Sequence, residues 1–396
     1  MNNPLLAIKK NAVFSVMFLS LSLLSCGTIL CTPTSLAKQN ILNSTQHKKT
    51  TVLAGTYTSE NGSEGLYVFD YDLTKHTFDS LRLVKKANNP SFGAYDITNQ
   101  RFYGVEEASS GTISSFLWNN EEQEMNTLNM RSSEGADPCY VAISPNKKQL
   151  AITNYSSGNI AIFTLNKDSG SIESLPQIIN HKGQGVDQQR QKGPHAHWAQ
   201  WSPYGSYIYA VDLGLDKVFT YPIDKQTGKI STASSVFKMS PGSGPRHMVF
   251  HPKKPISYIL NELNNTVVTT SITPNGELVA QQEINTLPAD FTKHSQGGHI
   301  AIGANGQYLY VSNRGHNSIA VFHIDAVGRL ELVQHMMLKE QWPRFFLITS
   351  DGKSMLVANQ NSDNITSFII EDNGRINYTG EMLKLSKPVY LTQLSF

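Results

Sequence analysis

The most regular feature of the chain is a short stretch of alternating apolar and polar residues that ends in a turn rich in Asp, Asn and Gly. Seven stretches follow this pattern, at residues 66–69, 113–116, 160–163, 218–221, 267–270, 319–322 and 365–368. Their first residues are 46 to 58 positions apart. A period of about 50 residues is typical of a four-stranded propeller blade and is longer than a helical repeat unit. The pattern therefore predicts seven blades.

Each repeat also predicts further strands. Residues 149–155 and 308–314, for example, form an apolar run directly before the repeated stretch. Two such runs joined by a turn of Gly, Asn or Asp are typical of a β-hairpin. A third run lies further upstream and opens with proline in most units, as at Pro138, Pro245 and Pro343. Gly and Pro interrupt the chain so often that little helix is expected.

The two ends of the chain complete one blade. The first unit begins at Thr51 without an opening strand, and residues 387–396 supply a strand that starts at Pro388. A blade shared by both termini ties the ring of sheets and leaves no open edge. We therefore predict an all-β fold, a seven-bladed β-propeller with four-stranded antiparallel blades over residues 50–396, after a short linker over 38–49. The alternative, a pair of β-sandwiches, would not show this even spacing.

The N-terminal segment 1–37 has the features of a secretory signal peptide. Lys9 and Lys10 precede a mainly apolar stretch, and Ala37 ends a small-x-small cleavage site. In an alternative interpretation, Cys26 becomes a lipidated N-terminus, because the preceding Leu-Leu-Ser resembles a lipoprotein processing site. We expect an exported protein, periplasmic or secreted. No other segment has the roughly 18 apolar residues that a membrane-spanning helix needs.

The net charge and the cysteine content exclude some partners and cross-links. The chain has 33 Lys and Arg against 31 Asp and Glu, and removal of residues 1–37, with two lysines and no acidic residue, lowers the formal charge from +2 to zero. A chain without a basic excess is not expected to bind nucleic acid. Cys139 is the only cysteine after residue 37, which excludes an intramolecular disulfide. We expect a monomer that binds a small molecule.

Blade geometry brings several ionisable residues to one rim. The opening strand of a blade starts beside the end of the second strand, because the two strands are antiparallel. Glu262 and Arg314 end second strands, and Arg246 and Arg344 open the neighbouring strands. His197 occupies the corresponding position one blade before Arg246. In the other blades the second strand is predicted to end at Thr56, Tyr155, Leu213 and Gln360.

Each of these residues also has a purely structural interpretation. Arginines at a propeller rim often form salt bridges between blades, and Glu262 could pair with Arg246 or Arg314 and do nothing more. His195 and His197, taken singly, could be hydrogen-bonded loop or core residues. Together they favour a functional site, because burial of several cations and an imidazole is costly without an anionic ligand or a reaction.

Six ordered segments resemble the signature segments of the seven-bladed β-propeller lactonases. These segments are residues 190–197, 211–216, 244–247 with 261–263, 312–315 and 358–360. The family includes the bacterial propeller-type 6-phosphogluconolactonases and resembles the fungal carboxymuconate-lactonizing enzymes. The resemblance covers nearly the whole mature chain and implies a lactonase that acts on a sugar or carboxylated lactone. Transferred position by position, it places the family's site on His195, His197, Arg246, Glu262 and Arg314.

Three positions depart from the family's pattern. Tyr140 stands where the family often has His, Phe345 replaces a residue that is usually polar, and the segment that ends at His299 lacks an acidic start. These departures concern the range of substrates more than the fold. A secretory signal also fits poorly with a cytosolic sugar-phosphate pathway, so a different lactone remains open as the substrate.

The expected chemistry is opening of a lactone ring by water. Arg246 and Arg314 would stabilise the negative charge on the carbonyl oxygen or bind an anionic arm. His197, or His195, would take the proton from water, and Glu262 would orient the histidine or act as the base itself. The expected catalytic residues are His195, His197, Glu262, Arg246 and Arg314, and the expected substrate-binding residues are Arg246, Arg314 and Arg344.

Other functions remain open at this stage. The same groups could catalyse the reverse reaction, in which an unsaturated diacid closes to a lactone. The protein would then be a cycloisomerase. A non-catalytic exported propeller could bind a ligand on this rim, although it would not need a His and a Glu within proton-transfer reach. No zinc-binding or nucleotide-binding motif occurs, and Glu262 is the one acidic residue at the mapped rim positions, too few for calcium. We expect no metal and no cofactor.

Overall fold

The computed structural model describes residues 49–173, 175–203 and 205–395. The predicted signal peptide, Cys26 and the linker up to residue 48 lie outside the described residues. All 28 elements of the described chain are β-strands, and no helix occurs among them. The described chain therefore contains no helix that could cross a bilayer.

The strands are numbered in chain order. The first half contains β1 (Lys49–Thr56), β2 (Gly65–Asp72), β3 (Phe78–Lys86), β4 (Gly93–Asp96), β5 (Arg101–Glu106), β6 (Thr112–Asn119), β7 (Glu124–Ser132), β8 (Pro138–Ile143), β9 (Gln149–Asn154), β10 (Asn159–Thr164), β11 (Gln177–Asn180), β12 (Ala196–Trp201), β13 (Tyr207–Asp212) and β14 (Lys217–Pro222). The second half contains β15 (Ser235–Lys238), β16 (Pro245–Phe250), β17 (Ile256–Asn261), β18 (Thr266–Ile272), β19 (Leu278–Asn285), β20 (Gln296–Ile302), β21 (Tyr308–Arg314), β22 (Ser318–Ile324), β23 (Leu330–Met337), β24 (Pro343–Ile348), β25 (Ser354–Asn359), β26 (Asn364–Ile370), β27 (Ile376–Lys384) and β28 (Pro388–Gln393).

These strands form seven four-stranded antiparallel sheets, and each sheet is one blade. Six blades consist of four consecutive strands, from β4–β7 to β24–β27. Blade 1 has the order β28-β1-β2-β3. The predicted seven-bladed propeller is therefore confirmed, and each repeated sequence stretch lies in the third strand of its blade, counted from the innermost strand.

Blade 1 is closed by the C-terminal strand, as predicted. β28 pairs with β1 in the antiparallel sense, with Ala54 opposite Leu391. Beyond the ladder, the Thr50 hydroxyl donates to the backbone oxygen of Ser395 over 2.6 Å. Both termini of the ring are thus hydrogen-bonded within one sheet, so this blade presents no unpaired inner edge.

Tyrosine hydroxyls connect neighbouring blades in a repeated way. In four blades a buried tyrosine of the second strand donates to the carbonyl of a turn glycine in the next blade: Tyr103 to Gly170, Tyr209 to Gly276, Tyr258 to Gly328 and Tyr310 to Gly374, over 2.8 to 3.1 Å. Each of these glycines has φ between 76° and 91°, a conformation that favours glycine. The hydroxyl would otherwise be an unsatisfied polar group in the interface between blades.

A β-bulge recurs near the start of the innermost strand and positions the site. In blades 3, 4, 5 and 7 the ladder skips one residue of that strand, so two of its residues lie opposite one residue of the second strand. The extra residues are Cys139, His197, Arg246 and Arg344. Bulges redirect side chains and are frequent beside active sites. The innermost strands of neighbouring blades contact one another, which brings these four residues together.

Candidate active site

Glu262 is the centre of a buried ion cluster at the rim. Its Oε2 atom lies 3.1 Å from Nε of Arg246 and 2.7 Å from Nη2 of Arg314, and its Oε1 atom lies 2.6 Å from Nη2 of Arg190. Glu262, Arg246 and Arg314 are almost completely buried, whereas the Arg190 side chain is 31% exposed. One carboxylate therefore holds three guanidinium groups, two inside the propeller and one at its mouth.

The charges of this cluster fix its protonation. Burial alone raises the pKa of the Glu262 carboxyl, but the positive charges of Arg314 and Arg246 outweigh burial and hold that pKa well below its usual range. Burial, followed by the charges of Arg314 and Arg344, lowers the pKa of Arg246 to about 9. All members of the cluster are therefore charged at neutral pH. Because its two oxygens already accept from three guanidiniums, Glu262 is suited to anchoring these groups rather than to accepting a proton.

Both predicted histidines contact the Tyr155 ring. The His195 ring stacks on Tyr155 with the centroids 4.3 Å apart, and its Nδ1 atom is 3.0 Å from the Tyr155 backbone oxygen. The His197 ring makes an edge contact with Tyr155, with the centroids 5.4 Å apart. Because a carbonyl oxygen only accepts, His195 donates its Nδ1 proton there, which leaves Nε2 as its remaining nitrogen.

His197 is a neutral imidazole in a buried position. Burial, and then the positive charge of Arg246, hold the pKa of His197 well below its usual range. Its Nδ1 atom is 3.7 Å from Sγ of Cys139 in the neighbouring blade. Burial and the nearby Glu107 charge raise the pKa of the Cys139 thiol to about 12, so the sulfur is not a thiolate. Nε2 of His197 has no hydrogen-bond partner among the described residues, so the neutral ring can accept a proton at that atom.

The third predicted arginine belongs to a separate cluster. Nη2 of Arg344 donates to the Tyr57 hydroxyl over 2.7 Å, and the Tyr57 hydroxyl lies 3.0 Å from both carboxylate oxygens of Glu107. The Arg344 guanidinium also lies over the Tyr57 ring, 5.1 Å from its centroid. The structure therefore places Arg344 away from Glu262 but on the same rim.

A ring of aromatic and imidazole side chains lies directly below these charged groups. Each blade contributes one residue, which lies two positions after the residue that opens its innermost segment, as Tyr140 does after Pro138. The seven residues are Tyr390, Phe92, Tyr140, Trp198, His247, His299 and Phe345. Their rings touch, with centroids 4.3 Å apart for Phe92 and Tyr140 and 4.0 Å apart for His299 and Phe345. We call this set the aromatic floor. The floor contacts the charged groups directly, because Nη1 of Arg246 donates to the His247 ring over 3.0 Å.

The long segment between β11 and β12 carries Arg190 and His195 to the rim. The buried Gln191 side chain donates to the Leu213 backbone oxygen over 2.9 Å and to Asp216 over 2.8 Å. The Asp212 carboxylate accepts from the His195 backbone N–H over 2.9 Å and also binds His181, 2.6 Å away. The segment is thus attached to blade 4 at several points, which fixes the two site residues.

The structure brings together the residues predicted for the site and adds others. Arg246, Glu262 and Arg314 form one cluster, His195 and His197 lie beside it, and Arg344 lies on the same rim. The prediction that Glu262 orients a histidine finds no support, because no hydrogen bond joins Glu262 to either histidine among the described residues. Arg190, Tyr57 and Glu107 were not predicted as site residues. Arg190 lies in a segment already singled out in the sequence, where its cationic side chain was an available signal.

Charge and metal-binding capacity also constrain the chemistry. Four guanidiniums, those of Arg190, Arg246, Arg314 and Arg344, face two carboxylates, those of Glu107 and Glu262, which leaves an excess of two positive charges. Such an excess favours an anionic ligand or a developing negative charge. Within the described part of the chain, no group of three or more His, Cys, Asp or Glu side chains is arranged to hold a metal ion.

Comparison with known proteins agrees with this architecture. The family described as "Lactonase, 7-bladed beta-propeller" matches residues 51–393. A 6-phosphogluconolactonase of Bacillus subtilis is 34% identical over 339 residues, which is 85% of this chain and 95% of the relative.

Two solved structures show the same fold at similar identity. A putative 6-phosphogluconolactonase from Bacteroides fragilis superposes with a TM-score of 0.81 at 31% identity, covering 88% of this chain and 99% of the other. A periplasmic gluconolactonase from Pseudomonas aeruginosa superposes with a TM-score of 0.83 at 28% identity, with the same coverage of 88% and 99%. The chain therefore belongs to the seven-bladed β-propeller lactonase family.

Proposed function

We propose that this lactonase hydrolyses a hydroxylated or anionic lactone at the rim that contains Glu262, by attack of water on the ring carbonyl. The observation that carries the proposal is the meeting of a neutral, buried His197 with four guanidiniums and two carboxylates. A guanidinium stabilises the negative oxygen of a tetrahedral intermediate, and a neutral imidazole accepts the proton that water loses. One site thus contains both groups that the reaction needs.

Arg246 and Arg314 are proposed to stabilise the oxyanion. Nε of Arg314 is buried and has no hydrogen-bond partner among the described residues, although its Nη2 atom binds Glu262 and the Gly297 oxygen. An unpaired buried donor is costly, and a carbonyl oxygen that becomes negative would satisfy it. Arg246 adds a second positive charge and is held by Glu262, the Gly298 oxygen and His247. Both guanidiniums are therefore positioned before substrate binds, which lowers the reorganisation cost of the reaction.

His197 is proposed as the general base. It would take a proton from water as the water oxygen attacks the carbonyl carbon, and return that proton to the ring oxygen as the carbon–oxygen bond breaks. The products are then a free hydroxyl and a carboxylic acid, which releases its proton to solvent, and the excess of positive charge at the rim favours the resulting carboxylate. His195, at the mouth beside Tyr155, would assist in binding, and Glu262 would hold the arginines in place.

The substrate class and the location are also part of the proposal. The relatives named 6-phosphogluconolactonase and gluconolactonase support a sugar lactone, and the positive excess supports one with an anionic arm. The signal-like sequence of residues 1–37 and the similarity to a periplasmic gluconolactonase support export.

Hydrolysis of a small panel of lactones tests the proposed function. The kcat/KM for hydrolysis of gluconolactone and of its 6-phosphate ester is measured for the purified wild type, Arg246→Lys and Arg375→Lys. Arg375 lies in an exposed turn of the outer strands and serves as the matched control. We expect Arg246→Lys to lower kcat/KM by about 100-fold, because lysine keeps the charge but loses the forked donors. A wild type that does not exceed spontaneous hydrolysis of any lactone would refute the proposed function.

A further inference from the structure

The cluster of Arg344, Tyr57 and Glu107 contributes to the charge of the rim but has no assigned step in the proposed chemistry, yet it has the properties of a binding site. Its residues come from blades 7, 1 and 2, which are consecutive in the closed ring. The Tyr57 hydroxyl stands between the two charged groups, 2.7 Å from Nη2 of Arg344 and 3.0 Å from each carboxylate oxygen of Glu107. No ion pair joins Arg344 to Glu107 within the described residues.

Tyr57 keeps the two charges apart because it remains a neutral phenol. Burial raises the pKa of Tyr57 above its usual value, and this effect is larger than the opposing effect of the Arg344 charge. A neutral phenol has one proton to donate and can accept as well. Because the guanidinium only donates and the carboxylate only accepts, Tyr57 donates to Glu107 and accepts from Arg344.

Both charged groups keep unused hydrogen-bonding capacity. The Tyr57 hydroxyl is the one hydrogen-bond partner that the described residues give the Arg344 guanidinium, which carries five N–H donors. The Glu107 carboxylate likewise accepts from Tyr57 alone among the described residues. Both side chains are half-buried. Glu262 differs, because three arginines already use its oxygens.

This cluster lies close to the proposed catalytic groups, because Arg246 donates to the Gly298 backbone oxygen and Gly298 packs against the backbone oxygen of Arg344. The charges of Glu107, Arg246 and Arg344 all act on the buried thiol of Cys139, which itself lies 3.7 Å from Nδ1 of His197. In the proposed arrangement, a lactone with its carbonyl at Arg246 turns the far side of its ring toward Glu107 and Arg344.

We propose that Arg344, Tyr57 and Glu107 form a half-site that recognises the ring hydroxyls of a sugar lactone, with Glu107 as the specificity-determining residue. The inference rests on the proposed function. A hydroxyl both donates and accepts, so neighbouring hydroxyls can donate to Glu107 and accept from Arg344 at the same time. An unsubstituted lactone offers neither interaction and leaves both charges desolvated with only the Tyr57 hydroxyl as a partner. A lactone with a second carboxylate at this point would be repelled by Glu107.

The test compares two six-membered lactones that differ in their hydroxyls, gluconolactone and δ-valerolactone. The ratio of their kcat/KM values is measured for the wild type, Glu107→Gln and Glu106→Gln. Glu106 is the matched control, because its side chain accepts from the Asn88 backbone N–H and belongs to no part of the site. We expect Glu107→Gln to lower the preference for gluconolactone about 10-fold or more, and Glu106→Gln to preserve it. An unchanged ratio, or equal losses on both lactones, would overturn the proposal.

A binding measurement separates this proposal from the proposed function. Calorimetry with gluconate and with hexanoate, which lacks the hydroxyls, needs no catalysis. We expect the wild type to bind gluconate more tightly than hexanoate, and Glu107→Gln to lose most of this difference. If the wild type hydrolyses no lactone, including the 6-phosphate ester, the proposed function fails, and the difference in affinity for the two acids still tests the half-site. Equal affinity of the wild type for the two acids would overturn the half-site.

Discussion

At the residue scale, Glu262 determines the geometry of the site. It holds Arg190, Arg246 and Arg314 through its two oxygens, and the resulting charges keep its own pKa well below the usual range. Without the carboxylate, two buried guanidiniums would repel each other next to His197. The residue that the sequence suggested as a base is therefore better described as the anchor of the cationic groups.

Glu262→Gln tests this description through stability. The amide keeps the shape of the side chain but leaves buried cations without their partner, and we expect a loss of about 3 kcal/mol in the free energy of unfolding. Urea unfolding near neutral pH measures the loss, with the exposed Glu277→Gln as control. Because the folded pKa is lowered, the contribution is present above the unfolded pKa of about 4.3 and fades as the pH falls below it. A loss below about 1 kcal/mol, no larger than that of the control, would contradict the anchoring role.

Tyr57 and Glu107 could not be predicted as site residues, because the second strand of their blades lacks the Asn or Asp that marks the end of this strand in the other blades. In four blades the second strand ends in Asn or Asp, as at Asn154 and Asn261, and in blade 6 Asn313 is the residue before its last one. The residue after this Asn or Asp lies on the rim. Blades 1 and 2 end this strand with Thr56 and Glu106, so the rim position was misplaced by one residue in blade 1 and not assigned in blade 2. The side chain of Thr56 instead binds the Gly65 backbone oxygen inside the sheet. The rim residues of these blades are the next ones along the chain, Tyr57 and Glu107.

At the scale of the strand, the bulge of the innermost strand creates both the site and its floor. The extra residue of the bulge reaches the charged rim, and the next residue joins the aromatic floor. The sequence signal for this arrangement was the proline that opens the strand, and it located the strands correctly. It did not reveal the bulge, because one extra residue in a ladder depends on how the neighbouring strand pairs rather than on local preference.

The imidazoles of the floor should make stability depend on pH. Burial, and then the Arg246 charge, hold the pKa of His247 well below its usual range, and the same two causes lower the pKa of His299 to about 3. Below the unfolded pKa of about 6.5, the unfolded chain binds protons that the folded imidazoles do not. Stability should therefore decrease as the pH falls from about 7 to about 5, with a slope of up to about 1.4 kcal/mol per pH unit for each imidazole.

His247→Phe isolates this effect, because other floor positions already hold phenylalanine. Removal of one titrating group should make the dependence of the unfolding free energy on pH shallower by about 1 kcal/mol per pH unit near pH 5.5. Urea unfolding at several pH values measures the slope, and the exposed His294→Gln is the control. An unchanged slope in His247→Phe would mean that His247 is protonated in the folded state.

At the scale of the whole molecule, the ring depends on closure by β28. The number of blades and the closure of the ring were the most predictable features, because both follow from the repeats. Seven similar stretches specify seven blades, and the strand that blade 1 lacks occurs at the other terminus. The path of the long segment before β12 could not be predicted in this way. Its course depends on tertiary anchors such as Gln191 and Asp216, which are distant from each other in sequence and meet only in the folded chain.

Deletion of residues 388–396 tests closure. The shortened chain loses β28 and leaves the inner edge of β1 unpaired, next to an open ring. We expect the cooperative unfolding transition to disappear in calorimetry and circular dichroism, together with lactonase activity. Removal of Phe396 alone serves as the length control. An unchanged melting transition after the longer deletion would show that the propeller does not need this strand.

The role of His197 is tested most directly by the pH dependence of kcat for His197→Ala on the best lactone substrate, corrected for spontaneous hydrolysis. In the wild type, activity should fall toward acid as His197 becomes protonated, at a pH below the usual histidine range because burial and Arg246 lower its pKa. We predict that His197→Ala lowers kcat by about 10² to 10⁴ and loses this acid limb, while affinity for the acid product is nearly retained. A loss of less than about threefold with the acid limb intact would contradict proton transfer by His197.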